Sequence, residues 1–415
     1  MHMRFWNRKN YKWEVLALLW IAFFHNQAGR QVFNIVIPLI RDDLQLTDGQ
    51  MGSIATVYNL VFALVVPVAG YLGDLYSRKW LVVLSIFFFS AGTIFTGGLG
   101  TGMLTLIILR GVVTGASDTF IGPPQYALLA SYHENSRAYA MSIHQTSFYT
   151  GILAIGFLAG YIGERYGWRA PFYIIGAVGL ILGIILIFRL KDKNGNQNFT
   201  ETYKPKFLEG LKIIFRTPTA LILVIGFGGL IFVLTGYLTW MPTYLYENFS
   251  MTLSKAGFQS MFYTHFFAFV GVIVAGKYSD IIAKRNPASR MLMQGVGLLV
   301  AVPFIIMMGH SNKLLTVYIG FAGFGFARAF FDANTYTVLY DVIPEKYRSS
   351  ATGILIMIGF GLGSLAPIIL GFLKPVLGLS FGIASLAFVW TFCGSLLLIG
   401  YKYYYRKDYE NVNQL

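Results

Sequence analysis

Charge is what this chain has least of. Of its 415 residues, 12% are Asp, Glu, Lys or Arg, against 56% hydrophobic, and the mean hydropathy is +0.60. A soluble domain carries about 25% charged residues. So little charge does not furnish a water-facing surface, and it assigns the chain to lipid. Cysteine is nearly absent as well: Cys393 alone excludes an intramolecular disulfide and a cysteine metal cluster. There is no G-x-x-x-x-G-K-[ST] run, which excludes direct drive by ATP. No HExxH or Cys/His cluster suggests a metal, and no Ser-His-Asp constellation is identifiable. The expectation is no enzyme, no metal and no cofactor. Acids are scarce even beside bases, 18 against 32, for a net charge of +14. Such a balance could serve nucleic acid, but basic loops facing an anionic cytoplasmic leaflet account for it better. No nucleic-acid partner is expected.

What is present is apolar sequence in runs of spanning length. Twelve are counted, near 13–40, 50–73, 79–99, 101–131, 138–163, 168–190, 217–245, 253–276, 286–309, 313–343, 348–374 and 379–404. The run after the basic segment from Met1 to Lys12 is itself of spanning length, so no cleavable leader is expected. The segment 191–216 is polar and basic and divides the chain at its midpoint. The expected organisation is a six-helix bundle over 1–190, a cytoplasmic linker over 191–216 and a second bundle over 217–415. With the N-terminus inside, only Arg41, Arg165, Arg169, Lys255, Lys313 and Lys374 of the loop cations fall outside. That asymmetry puts both termini in the cytoplasm of a multi-pass cell (inner) membrane protein. The lipid bilayer is an expected partner, and a monomer is expected.

A ten-residue phrase occurs twice. It reads GYLGDLYSRK from Gly70 to Lys79 and GKYSDIIAKR from Gly276 to Arg285. Both copies follow an apolar run, and Asp74 and Asp280 stand about half the chain apart. Duplication at half length in a membrane chain implies a transporter built from two related halves.

Twelve spans, a central loop and this phrase between spans two and three resemble the major facilitator superfamily, over the whole chain. Gly70, Asp74, Arg78 and Lys79 fit the superfamily's G-x-x-x-D-x-x-x-R-[KR] loop. Arg110 followed by Gly115 resembles its R-x-x-x-G segment with a one-residue shift. Gly167-Trp168-Arg169 with Pro171-Phe172, and Glu345 to Arg348 followed by Gly353, resemble its entries to spans six and eleven. The resemblance implies an all-α fold of twelve transmembrane helices in two pseudo-symmetric six-helix bundles. It implies alternating access, with Asp74 and Asp280 beside Arg78, Lys79 and Arg285 latching the halves on the cytoplasmic side. The alternative for these charges is topological anchoring alone.

Few charges lie inside the spans, and each costs roughly 2.5–3.5 kcal/mol at mid-membrane. Arg30 is central to span one, with Asn26 and Asn34 four residues to either side on one helical face. Its planar guanidinium suits a carboxylate or phosphate; the alternative is a structural ion pair. This region resembles the anion:cation symporters and the Spinster-like carriers, which often carry an Asp-Arg pair there. Here Gly29 replaces the acid. Asp118 precedes Pro123 by five residues, as a coupling carboxylate does in relatives. Losing a cationic partner makes a buried carboxylate easier to protonate; the alternative is a fixed partner for Arg30 or Arg110. Arg110 is read as structural. Arg328 and Asp332 stand i, i+4 on span ten, a spacing that suits either mutual neutralisation or a place in the coupling site. Aligning Tyr126 with Tyr336 places Asp118 opposite Arg328.

Other polar groups complete a candidate cargo site: Tyr58, His144, Gln145, Tyr149, Tyr237, Trp240, Tyr263, Asn334 and Tyr336. Asn59, Thr235 and Gln259 stand nearby in sequence. Aromatics with amides and hydroxyls suit a sugar acid, although each histidine (His25, His144, His265) can equally be a packing residue. The resulting expectation is proton-coupled symport of a small organic anion, such as a hexuronate, an aldonate or a sialic acid. The alternatives are a Spinster-like lysolipid or lipid carrier and a proton-driven exporter.

Overall fold

The computed structural model describes residues 11–133, 136–192 and 207–413. Among them all regular structure is helical. Span one is Tyr11–Ile35, continued after Val36 by Ile37–Leu44. Span two is Asp48–Leu75 and span three Arg78–Leu99. Span four, Met103–Tyr132, is broken into pieces. Spans five to nine are Arg137–Tyr166, Arg169–Arg189, Pro218–Asn248, Leu253–Ala283 and Ser289–His310. Span ten is Leu314–Asp332 followed by Thr335–Val342, and span eleven begins with Arg348–Gly363.

Ten stretches among the described residues are long and apolar enough to cross a membrane. One of them, Ser350–Tyr403, is 54 residues long and holds two spans. Gly378 divides it: its φ of +76° is the left-handed region that glycine tolerates without steric cost. Span one falls outside the ten because its second half carries His25, Asn26, Gln27, Arg30 and Gln31. These are buried side chains facing protein rather than lipid, apart from Arg30, which is partly open. The architecture is therefore twelve transmembrane helices.

The described residues gather into two compact units. One holds those of Met1–Leu46, Val65–Tyr203 and Leu253–Phe258; the other those of Thr47–Leu64, Lys204–Thr252 and Gln259–Leu415. In the first, Val15, Leu19, Val82, Ile86, Leu129 and Leu186 form a core of spans one, three, four and six. Burying such a side chain stabilises by about 1.5–3 kcal/mol. In the second, Lys374 Nζ bridges Asp48 Oδ1 at 2.8 Å and Glu247 Oε1 at 2.9 Å. Thr56 Oγ1 accepts from Ile368 N at 3.2 Å. These bonds bind the first part of span two to spans seven and eleven.

Residues 193–206 of the expected linker lie outside the described residues. Phe207–Arg216 is a helix, and Asp192 lies against the start of span three. Ser77 Oγ donates to Asp192 Oδ2 at 2.7 Å, and Lys79 N donates to the same oxygen at 3.4 Å. A carboxylate there satisfies open amide groups and complements the helix dipole.

Candidate functional site

Span one builds the first cluster. Polar side chains in its second half need partners because lipid supplies none. Asn26 is fully buried and donates from Nδ2 to Asp118 Oδ1 at 2.7 Å, while its own oxygen accepts from Gln27 Nε2 at 3.0 Å. Arg30 Nη1 stands 3.6 Å from Asp118 Oδ2, with the Arg30 side chain 18% exposed and that of Asp118 2%. Asp118 thus faces a guanidinium that is partly exposed. Arg110, buried in span four, donates from Nη2 to the Arg30 carbonyl at 2.7 Å and lies over the Phe33 ring. Asn34 turns to Gln31, donating to its Oε1 at 2.9 Å. A Cβ at Gly29 would lie 2.6 Å from Phe89 Cε1. The phenyl ring fills the space in which an acidic side chain would start.

His144 and Ser147 do not extend this cluster. His144 is fully buried, stacked on Phe23 at 5.1 Å and edge-on to Tyr126 at 5.2 Å. Ser147 bonds back to the carbonyl of His144, as hydroxyls in helices often do. Gln145 is exposed and Tyr149 half-buried, with Tyr149 edge-on to Phe148. His25 faces the Ile175 carbonyl at 2.9 Å.

The second unit has its own polar groups. Arg328 Nε lies 3.2 Å from Asp332 Oδ2, one turn along span ten, and His265 is bonded to the Met261 carbonyl. Tyr263 stacks on Tyr318 with ring centroids 4.5 Å apart, and Tyr318 donates to Gln259 Oε1. Sequence reasoning missed Tyr318; its spacing in an apolar run gives no signal of its partner. Tyr58 is buried, and Asn59 Nδ2 donates to the Ala55 carbonyl at 2.9 Å. Tyr336 is 44% exposed.

Three of the expected cargo residues make bonds within the second unit. Tyr237 is buried between Phe321 and Phe324, its hydroxyl bonded to the Ser260 carbonyl and Thr264 Oγ1. Trp240 is buried with Nε1 donating to the Pro367 carbonyl at 3.0 Å. Asn334 donates to Ser279 Oγ at 2.8 Å and to the Phe330 carbonyl at 2.9 Å, tying span ten to span eight. In each, burial and bonding within the unit consume the polar handle.

At the repeated phrase, Gly70 has open space where a side chain would be. The Asp74 side chain lies outside the described residues. Lys79 Nζ donates to the Ile187 carbonyl at 2.7 Å, so its charge is held within the first unit. Asp280 Oδ1 lies 3.4 Å from Arg290 Nη2, and Arg290 Nη1 lies 3.5 Å from Asp341 Oδ2. Arg285 ends the second phrase just beyond span eight.

Among the described residues, no three His, Cys, Asp or Glu side chains gather as a metal site needs. The arrangement offers paired charges and hydrogen bonds inside membrane-spanning helices, and that chemistry suits passage of a solute.

The profile of the Major Facilitator Superfamily matches residues 19–367. A probable galactarate/D-glucarate transporter, GudP of Bacillus subtilis, is 24% identical over 94% of this chain and 89% of its own. The sialic acid transporter NanX of Escherichia coli is 26% identical over 93% and 92%. Protein spinster homolog 1 of Xenopus tropicalis is 24% identical over 86% and 72%. Among solved structures, a bacterial homologue of the human lysosomal transporter Spinster, described as inward-facing and occupied, superposes with a TM-score of 0.80. It is 19% identical and covers 96% of this chain and 98% of its own. Profile, relatives and helical architecture agree: the chain belongs to the major facilitator superfamily and is a multi-pass membrane transporter, not an enzyme.

Proposed function

We propose that this transporter carries a small organic anion, a sugar acid of the hexuronate, aldonate or sialic acid kind, in symport with protons. The observation that carries this reading is Arg30. Its guanidinium is held by Asp118 at 3.6 Å yet stays 18% exposed, so a cargo carboxylate can reach it. A guanidinium fork grips carboxylates in two-point fashion. Relatives named for galactarate, D-glucarate and sialic acid support an acidic cargo.

The coupling follows from competition. When a cargo carboxylate takes Arg30, Asp118 is left buried without its counter-charge, and a proton restores neutrality. Release of the cargo returns Arg30 to Asp118 and expels the proton. Arg328 and Asp332 form a second pair available for the same exchange, and the two copies of the Gly70–Lys79 phrase gate the cytoplasmic side. The protein acts as a monomer in the cell membrane with both termini in the cytoplasm.

A lysolipid or lipid cargo is the second reading, favoured by the likeness to Spinster proteins in sequence and fold. Uptake of labelled D-glucuronate, D-gluconate and N-acetylneuraminate into proteoliposomes, with and without an inward proton gradient, tests the first reading. Accumulation of any of them that collapses with the gradient supports it. Transfer of lysophospholipid with no sugar-acid uptake overturns it in favour of the second.

A further inference from the structure

Span four is not a uniform α-helix. Ile107–Thr114 is π-helical, between Met103–Leu106 and Gly115–Thr119. A π turn closes i→i+5 bonds and so holds one residue more than an α turn, and such turns are frequent at functional sites. Two side chains lean on span one, Arg110 from within this turn and Asp118 from the helix that follows it. Arg110 Nη2 donates to the Arg30 carbonyl, and Asp118 takes the Arg30 guanidinium and the Asn26 amide. Both targets lie within one turn of span one.

An α-helix advances about 100° per residue, so the steps from Arg110 to Asp118 would leave them about 80° apart around span four. With one residue absorbed in the π turn the separation falls to about 20°. The extra residue thus brings anchor and carboxylate onto one face. The sequence carries the same surplus: Arg110 and Gly115 are spaced one residue wider than the R-x-x-x-G pattern they resemble.

Hydroxyls make the irregular ladder tolerable. Thr114 Oγ1 donates to the Arg110 carbonyl and reaches the Leu109 carbonyl at 3.3 Å. Ser117 Oγ donates to the Val113 carbonyl at 2.7 Å, and Ser85 Oγ of span three donates to the Ser117 carbonyl at 2.6 Å. Carbonyls displaced from regular α bonding therefore keep partners. Val112, inside the turn and between Arg110 and Asp118, is 43% exposed, so the packing can spare it.

We infer that the π turn holds one surplus residue whose accommodation phases Asp118 onto Arg30, and that Arg110 and Thr114 are positioning residues for that pair. This rests on the reading of Arg30 and Asp118 as the cargo and coupling site. The test is a pair of deletions in the full chain. Deleting Val112 converts the turn to α without rotating Asp118. The variant folds, takes up the sugar acid within about twofold of the parent rate, and keeps its pH profile. Deleting Val112 and Val113 together removes one residue more than the surplus; it turns Asp118 about 120° away from Arg110 and abolishes uptake. Thr114→Val lowers uptake and Thr114→Ser restores it. A cargo-independent arm compares the thermal destabilisation caused by Asp118→Asn in each background. It equals the parent's after the single deletion and disappears after the double deletion. If the single deletion unfolds the protein, or the Asp118→Asn effect is already gone in it, the phasing role is refuted. If the parent itself takes up no sugar acid, the cargo reading fails while the thermal comparison still decides the phasing.

Discussion

Asp118→Asn is the sharpest perturbation of the proposed coupling. At 3.6 Å, opposite unit charges attract by about 4–5 kcal/mol at an effective dielectric of about 20. Desolvation of both groups offsets part of that, and breaking a buried pair costs about 3–5 kcal/mol. Because the Arg30 side chain is partly exposed, the lower end applies, about 3 kcal/mol. Asparagine at 118 keeps a neutral bond to Asn26, worth about 1 kcal/mol. The variant should therefore lose about 2 kcal/mol of stability. The same change removes the competitor that an anionic cargo must displace from Arg30. Affinity for a sugar acid should rise by a similar amount, about 30-fold, and it should lose its dependence on pH. Calorimetric titration with D-glucuronate from pH 5.5 to 8 reads the affinity, and proteoliposome uptake reads the coupling. Exchange across the membrane should persist while accumulation against a gradient stops. Unchanged affinity together with gradient-driven accumulation would refute the competition between cargo and Asp118.

Arg30→Lys and Arg30→Ala should both abolish sugar-acid uptake in a protein that still elutes as a single species; normal uptake by either sinks the carboxylate assignment. Lys374→Met leaves Asp48 and Glu247 facing each other without their cation, and a loss of about 2–3 kcal/mol is expected in chemical unfolding; an unchanged midpoint would deny the bridge a structural role. His133, beyond the end of span four, donates from Nε2 to the Lys12 carbonyl at 2.8 Å and shares a bond between Nδ1 and Ser136 Oγ at 3.0 Å. Burial, against the bond to Lys12, holds its imidazole below the ordinary histidine value. The stability it contributes is therefore complete above about pH 6.5 and falls away as acid protonates it. Melting curves from pH 7.5 to 5 should show a steeper acid loss in the parent than in His133→Gln, and parallel curves would contradict this. Asp43 is held low by bonds from Trp168 and Arg169, so Asp43→Asn should flatten the response of Trp168 fluorescence below about pH 4.

The spans were legible because lipid demands long apolar runs. Span one is the instructive case. Its polar residues lower its hydropathy, and two of them, Asn26 and Arg30, bind Asp118. The pairing of Arg328 with Asp332 follows from helical spacing alone. Arg30 with Asp118 was one of two readings the residues allowed, since span-to-span contacts have no sequence period. The internal bonds of Tyr237, Trp240 and Asn334 are not legible in the sequence, because a polar handle is the same residue type whether it meets a solute or a neighbouring carbonyl. The π turn left only a spacing one residue too wide and a cluster of hydroxyls at Thr114, Ser117 and Thr119. Neither identifies it without coordinates.

The bond from Ile368 to Thr56 joins positions 312 residues apart. Ribosomes add about 5–20 residues per second, so Thr56 is made roughly 15–60 s before its partner. Throughout that interval the start of span two is already in the bilayer, with Asp48 waiting for Lys374 as well. A newly made chain must hold these groups in some temporary arrangement, shielded by lipid headgroups, water or an insertion factor. The last third of the protein then arrives to complete a helix packing begun in the first sixth.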